Sequence, residues 1–202
     1  RTLLIKAFYE LKDANEIIKL LELLEIFSIR RIIGQYSTGE LDTIYNKLAL
    51  EAFKKDSPVD FIGQYFEDNV PGDSEFIDNF RNRNFRSNDQ TKYILDKIER
   101  DHFMVSGQGK AIKDRSEVHL EHIAPTAAFT AKKYSEWATY FNMNEDDFDD
   151  FKTRIGNITL FETTLNISAS DKPFQQKKNK YLDSDFYMTR QLANNYNTWK
   201  KE

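Results

Sequence analysis

Residues 117–125 read EVHLEHIAP, and this stretch is the one from which the second half of the fold can be inferred. Apolar side chains recur among its polar ones until Pro125 ends the run, a pattern that predicts a short β-strand. Two of the chain's three histidines, His119 and His122, lie here, and Glu121 comes directly before the second. The end of this strand is therefore the first place to look for chemistry.

The sequence before this strand is predicted to be helical. Apolar residues recur at three- and four-residue steps, as on the buried face of an amphipathic helix. The predicted helices cover about 14–35 and 38–55, with further helix starts at Pro58, Asp73 and Ser87. Asp13 is the expected N-cap of the first, and Ser37 with Glu40 forms a capping box for the second. This half therefore reads as a helical bundle with short connections.

The sequence after this strand predicts a second strand with helices around it. Residues 154–161, RIGNITLF, have the apolar content of a strand, and the expected helices are 132–141, 145–152, 172–182 and 186–199. We therefore expect a mainly α fold with a small α+β core. The predicted division is a helical subdomain over 1–105 and a second subdomain over 110–202, with Ser106–Lys110 as linker.

Composition limits the classes of function. The chain has no cysteine, which excludes disulfides and thiolate chemistry and fits a reducing compartment such as the cytoplasm. Its most apolar region, 17–33, is interrupted by charged residues, so no membrane span is expected. The net charge of −4 argues against a general nucleic-acid coat but allows a local basic cleft. Because the sequence opens at Arg1, we expect a fragment of a longer protein.

Two arginine groups are ambiguous from sequence alone. Arg30 and Arg31 come at the end of the predicted first long helix, where they complement the helix dipole or contact a phosphate. Arg81, Arg83 and Arg86 belong either to a solvated loop or to a surface that follows a nucleic-acid backbone.

The residues around the predicted strand end suit phosphodiester hydrolysis. That reaction needs a cation to neutralise the scissile phosphate and a base to take a proton from water, held close together. Glu121 and His122 offer a ligand and a base on adjacent residues, and Asn166 offers a further oxygen from a following helix. Oxygen ligands favour Mg²⁺ or Mn²⁺ over zinc. Lys177 is placed to hold a phosphate.

The ordered combination of several motifs resembles a known family. EHIAP at 121–125, IGNITLF at 155–161, Asn166 and FQQK at 174–177 are similar to the C-terminal nuclease domain of GmrSD-type restriction enzymes. The helical stretches SIRRIIGQYSTGELDTIYNKLA and YILDKIE resemble the region upstream of that nuclease. The resemblance implies a divergent HNH, or His-Me finger, endonuclease with an HxxP signature and a ββα-metal core that carries a helical insertion.

The resemblance also implies roles for single residues. His122 would be the general base, Glu121 and Asn166 the metal ligands, and Asn157 the residue that braces the loop. Lys177 and Lys178 are the expected phosphate contacts. The implied substrate is foreign DNA, often from phage, with modified bases or backbone. Relatives carry an N-terminal ParB-like nucleotide-hydrolysing sensor domain, which would be the partner of this chain in the full-length protein.

Each of these residues also has a purely structural interpretation. His122 could be a hydrogen-bonded strand histidine, Asn157 a turn residue and Asn166 a helix cap, and the lysines could form a solvated face. His119 is expected to face away from His122 and to be structural or an outer-shell group. Two rival functions remain: a catalytically inactive nucleic-acid-binding module and a protein-interaction module.

Overall fold

In the part of the chain that the structure describes, helices dominate and the sheet has two strands. The computed structural model describes residues 1–86, 88–103, 115–135, 137, 143–170 and 172–199. Within them the α-helices are α1 Thr2–Glu10, α2 Ala14–Ile33, α3 Leu41–Glu51, α4 Pro58–Glu67, α5 Asp73–Asn82, α6 Asp89–Ile98, α7 Glu145–Phe151, α8 Thr163–Ala169, α9 Phe174–Leu182 and α10 Tyr187–Asn195. The strands are β1 Val118–His122 and β2 Ile158–Glu162. The expected mainly α fold with a small α+β part is confirmed.

The chain divides by its internal contacts into two compact units, Arg1–Phe80 and Arg81–Glu202. In the first unit, α1 packs on α3 and α2 packs on α4. Phe27 of α2 stacks on Phe66 of α4 with ring centroids 4.0 Å apart, and both side chains are buried. Burying each such aromatic side chain contributes about 1.5–3 kcal/mol, so the apolar stripe read from the sequence is what holds this bundle together.

The helix starts predicted at Pro58 and Asp73 are confirmed, and of the two side-chain caps predicted earlier in the chain one is confirmed and one is wrong. The Asp13 carboxylate accepts a hydrogen bond from the Asn15 backbone N–H, as expected of the N-cap of α2. The capping box predicted at Ser37 does not form, because α3 begins only at Leu41. The Ser37 hydroxyl instead accepts from the backbone N–H of Gly39, and the Ser37 carbonyl accepts from Arg31. These bonds hold the segment as a turn.

Both arginines at the end of α2 bind groups within the first unit. Arg31 is buried and donates to the Ser37 carbonyl at 2.8 Å and to the Glu40 carboxylate at 3.0 Å. Arg30 donates to the Pro71 carbonyl at 2.8 Å and to the Asp73 carboxylate. Their guanidinium groups therefore tie the end of α2 to the segments that follow α2 and α4.

The second unit is built on the antiparallel pair of β1 and β2. Glu121 pairs with Thr159 and His122 pairs with Ile158, so both residues of interest lie where β1 leaves the sheet. Helices α6 and α10 pack on β2, while α8 packs on both strands. The predicted second strand began at Arg154, but residues Ile155–Asn157 form a short 3₁₀ turn and β2 begins at Ile158.

Some sequence-based expectations concern residues outside the described ranges. They are the N-cap at Ser87, the linker Ser106–Lys110 and half of the expected helix over 132–141, of which Lys132–Tyr134 is a 3₁₀ turn. The observed N-cap of α6 is Asn88, whose side chain accepts from the Thr91 backbone N–H. The contact-based division falls earlier than the boundary predicted between 1–105 and 110–202, and it assigns α6 to the unit that holds the sheet.

Among the described residues, no helix combines the length and the apolar character that crossing a membrane would require.

Candidate functional site

The carboxylate of Glu121 lies inside the protein, paired with two side chains of α9. Only 7% of the residue is exposed. Its Oε1 accepts from the Lys177 ammonium at 2.5 Å and from the Tyr181 hydroxyl at 3.0 Å. Lys177 and Tyr181 are four residues apart on a helix and therefore lie on the same face, which lets both reach one oxygen. This network fastens α9 to the end of β1.

Lys177 is almost fully enclosed at this position. Its side chain is 1% exposed, and its ammonium also lies 3.4 Å from the His122 carbonyl and 3.3 Å from the Ile123 carbonyl. The same ammonium stands 5.8 Å from the centre of the Trp137 ring. Lys177 thus holds the backbone that follows the strand, and a buried cation with this many acceptors is well compensated.

Burial and charge shift the titration of the two acidic partners. Burial raises the pKa of the Glu121 carboxyl, and the nearby Lys177 and Tyr181 act in the opposite direction. Burial also raises the pKa of the Tyr181 hydroxyl well above its ordinary value, and the Glu121 charge raises it further. The hydroxyl therefore stays protonated and keeps donating to Oε1.

His122, the last residue of β1, is half-buried and lines a cavity. Burial lowers the pKa of its imidazole, and the Lys177 charge lowers it further. The imidazole makes no hydrogen bond with any residue that the structure describes, so both ring nitrogens are available to a molecule in the cavity. A neutral, unpaired imidazole can accept a proton near neutral pH.

Asn157 connects the turn before β2 with the loop after β1, and it is fully buried. Its amide oxygen accepts from the Ala124 N–H at 2.9 Å, and its amide nitrogen donates to the Ala124 carbonyl at 3.0 Å and the Lys152 carbonyl at 2.8 Å. The Trp199 indole N–H donates to the same oxygen at 3.1 Å. With every amide group engaged, Asn157 fixes the HIAP loop on which the position of His122 depends.

Asn166 lies on α8, the helix that directly follows β2, so its side chain is carried to the sheet end by a short connection. Its amide nitrogen is 3.3 Å from Nδ1 of His119. Its amide oxygen makes no hydrogen bond within the described part of the chain. The residue lines the same cavity as His122.

The cavity gathers four predicted site residues from three separate parts of the sequence. It has a volume of about 360 Å³ and is lined by Glu121, His122 and Asn166, with Lys177 also at its wall. Further lining residues are Leu120, Pro125, Thr126, Ala127, Tyr134 and Ser170. Asn157 lies beneath the loop rather than in the cavity, where its contacts are those of a brace.

The donor set in this cavity is compatible with a hard divalent cation. Both hydrogen bonds to Glu121 converge on Oε1, and Oε2 accepts none from the described residues. Glu121 Oε2 and the Asn166 amide oxygen are therefore two oxygen donors without a partner among the described residues. No group of three or more His, Cys, Asp or Glu that could hold a metal occurs in the described ranges. So sparse a set suits Mg²⁺ or Mn²⁺, which keep several waters, better than zinc.

The two lysines predicted to contact phosphate have different surroundings. Lys177 is at the cavity wall but paired with Glu121, as described above. Lys178 is half-buried and donates to the side-chain oxygen of Asn197 at 3.2 Å. Adjacent side chains on a helix point about 100° apart, so the ammonium groups of Lys177 and Lys178 lie in different environments. A phosphate contact by either one stays a prediction.

Sequence reasoning missed two residues at the site. Tyr181 is the first, because nothing local in the sequence signals that its hydroxyl reaches Glu121 across 60 residues. Ser170, at the end of α8, has φ 51° and ψ −148°, a backbone conformation that L-residues rarely adopt. A residue other than glycine at such a position leaves no local pattern from which the strain could be predicted.

A family of known proteins matches much of this chain. No curated protein matches it significantly. Residues 70–202 match the family of GmrSD restriction endonucleases, C-terminal domain. The match covers more than half of the chain and includes β1, β2 and α8 to α10, with all the side chains that line the cavity. The family predicted from EHIAP, IGNITLF and FQQK is therefore confirmed, and this chain belongs to the C-terminal domain family of the GmrSD restriction endonucleases.

Proposed function

We propose that this chain is a metal-dependent DNA endonuclease or nickase domain of a modification-dependent restriction system. The observation that carries the proposal is the cavity at the end of β1. His122 lines this cavity together with Glu121 and Asn166, and its imidazole, Glu121 Oε2 and the Asn166 amide oxygen have no hydrogen-bond partner among the residues that the structure describes. Membership of a restriction endonuclease family gives the class of substrate, which is DNA.

His122 is the proposed general base. Its imidazole accepts a proton from a water molecule in the cavity as the water oxygen attacks the scissile phosphorus, and the ester bond to the leaving oxygen breaks. Proton acceptance requires the neutral ring, which the lowered pKa favours at neutral pH. The absence of a competing hydrogen bond from the described residues leaves the ring free to orient that water.

Glu121 Oε2 and the Asn166 amide oxygen are the proposed ligands of Mg²⁺ or Mn²⁺. A divalent cation held there would neutralise charge on the scissile phosphate and on the leaving oxygen. Lys177 and Tyr181 restrain Glu121 through its other oxygen, so the free Oε2 keeps a fixed direction. Preorganisation of this kind is what makes an electrostatic site effective.

The order of these elements supports the proposal of a ββα-metal core of the HNH, or His-Me finger, type. β1 carries the base and one ligand, β2 pairs with it, and α8 carries the second ligand. The substrate is proposed to be modified foreign DNA in the cytoplasm, with Lys177 and Lys178 near the DNA backbone. The proposed partner is a ParB-like sensor domain elsewhere in the full-length protein.

Nicking of supercoiled plasmid tests the proposal. Supercoiled plasmid that carries modified bases of the kind found in phage DNA, and the same plasmid without them, are incubated with the chain and Mg²⁺ or Mn²⁺. We expect relaxed or linear product with metal, none with a chelator, and a loss of at least about 100-fold in rate for His122→Ala. Glu117→Gln, which removes an exposed charge five residues earlier, is the matched control and keeps the wild-type rate.

Three results would contradict the proposal or the role it gives to His122. DNA binding at low salt with no cleavage under either metal would indicate a catalytically inactive nucleic-acid-binding module. The absence of DNA binding at low salt would instead favour a protein-interaction module. If His122→Ala cleaves at the wild-type rate, His122 is not the general base, and the family assignment is unaffected.

A further inference from the structure

The contact between His119 and Asn166 is not used by the proposed chemistry. His119 lies on β1, three residues before His122, and is exposed, whereas Asn166 lies on α8, which packs on this strand. The two side chains meet with the Asn166 amide nitrogen 3.3 Å from Nδ1 of His119. This contact joins residues 47 positions apart in the chain.

The direction of this hydrogen bond determines which end of the Asn166 amide points to His119. An amide nitrogen only donates, so Nδ1 of His119 must accept and the ring proton of the neutral imidazole must be on Nε2. With its nitrogen turned towards His119, the Asn166 amide has its oxygen free of protein partners in the described residues. Without this acceptor, the amide could rotate and present its NH₂ group, which cannot bind a cation.

We propose that His119 is a positioning residue: it orients the Asn166 amide so that the oxygen serves as a metal ligand. This inference rests on the proposed function, because it assumes that Asn166 is a ligand. His119 touches neither the reacting atoms nor the cation. Loss of such an outer partner of a ligand lowers metal affinity about 10- to 100-fold.

Two substitutions of His119 distinguish the contribution of its hydrogen-bond acceptor, Nδ1, from that of the rest of the ring. His119→Asn places its side-chain oxygen where Nδ1 stood and keeps an acceptor, whereas His119→Leu keeps similar bulk but has none. We expect His119→Leu to raise the Kd for Mn²⁺ about 10-fold and His119→Asn to stay within about threefold of wild type. Glu117→Gln, an exposed neighbour in the turn before β1, is expected to leave the Kd unchanged.

Mn²⁺ binding is measured on the full 202-residue chain by electron paramagnetic resonance of the free ion, a readout that does not require cleavage. Plasmid nicking over a Mn²⁺ series gives the second readout. For His119→Leu the half-maximal metal concentration should rise by the same factor, with little change in rate at saturating metal. A structural role would instead lower the rate at every metal concentration, and circular dichroism checks that each variant is folded.

The outcomes distinguish this inference from the proposed function. If Asn166→Ala weakens Mn²⁺ binding and His119→Leu does not, the positioning role is overturned and the proposed function stands. If His119→Asn binds as weakly as His119→Leu, the acceptor at the Nδ1 position is not what matters, and the inference also fails. If Asn166→Ala binds Mn²⁺ as wild type does, or wild type binds none, both the ligand role and the inference fall.

Discussion

Lys177→Met is expected to destabilise the second unit strongly, and the size of the effect should depend on pH. Methionine replaces the buried stem of the lysine with a similar shape but removes the ammonium that lies 2.5 Å from Glu121 Oε1. The Glu121 carboxylate then keeps one hydrogen bond from these two partners, that of Tyr181. Breaking a buried ion pair by removing one partner typically costs about 3–5 kcal/mol.

Protonation of Glu121 limits this cost. The ordinary pKa of the carboxyl is 4.5, and burial already raises it. Holding a carboxyl protonated costs about 1.4 kcal/mol for each pH unit above its unfolded pKa, which gives about 4 kcal/mol at pH 7.5 and about 1.4 kcal/mol at pH 5.5. In the variant the folded state binds more protons than the unfolded state, so its stability is greatest below pH 4.5 and falls as pH rises.

Urea unfolding followed by tryptophan fluorescence measures the effect. Both tryptophans, Trp137 and Trp199, belong to the second unit, so the signal reports that unit. Lys178→Met, the neighbouring substitution on the same helix, is the control and should stay within about 0.5 kcal/mol of wild type. Adding Glu121→Gln to Lys177→Met should recover most of the loss. A penalty below about 1 kcal/mol at pH 7.5, or one that does not vary with pH, would refute the reasoning.

Three further predictions use the same unfolding measurement. Ser170→Gly should be more stable than Ser170→Ala by about 1 kcal/mol, because only glycine relieves the backbone conformation at φ 51°; equal stabilities would contradict this. The pKa of His122 is lowered in the folded state, so that state binds fewer protons than the unfolded state and loses stability as pH falls below 6.5. His122→Gln should therefore lose less stability than wild type between pH 7.5 and 5. If the two proteins lose stability in parallel over this range, the pKa shift is contradicted. Trp199→Phe removes the indole N–H bound to Asn157 but keeps a ring to stack on Phe174, and should cost about 0.5–1.5 kcal/mol; no change would contradict the bracing role of that bond.

The elements of the fold that could be predicted from the sequence are those with a strong local pattern. The stripe of α2 and the N-cap at Asp13 were predicted, because periodicity and capping act within a few residues. The capping box at Ser37 failed, because the guanidinium of Arg31 competes for the same turn from the preceding helix. A contact made by a residue of the preceding helix therefore overrides the local capping preference, and such a contact cannot be read from the local sequence.

At the candidate site, the sequence identified the residues but not their bonds. The motif around His122, together with the position of Asn166 after the second strand, was enough to select three residues that line one cavity. The pairing of Glu121 with Lys177 was not predicted, because it joins positions 56 residues apart. The sequence predicted a metal ligand at Glu121 and a phosphate contact at Lys177. In the structure the two side chains form an ion pair, and each restrains the other.

The geometry of a strand explains why such a site lies where β1 ends. Successive side chains of a strand point to opposite faces, so Glu121 and His122 cannot share a cavity in the middle of a sheet. At the strand end both faces become accessible, and the chain turns away over the loop that Asn157 holds. The two oxygens of Glu121 then differ: Oε1 is bound to α9, and Oε2 has no partner among the described residues. A strand end followed by a loop that Asn157 holds thus allows two adjacent side chains, those of Glu121 and His122, to line the same cavity.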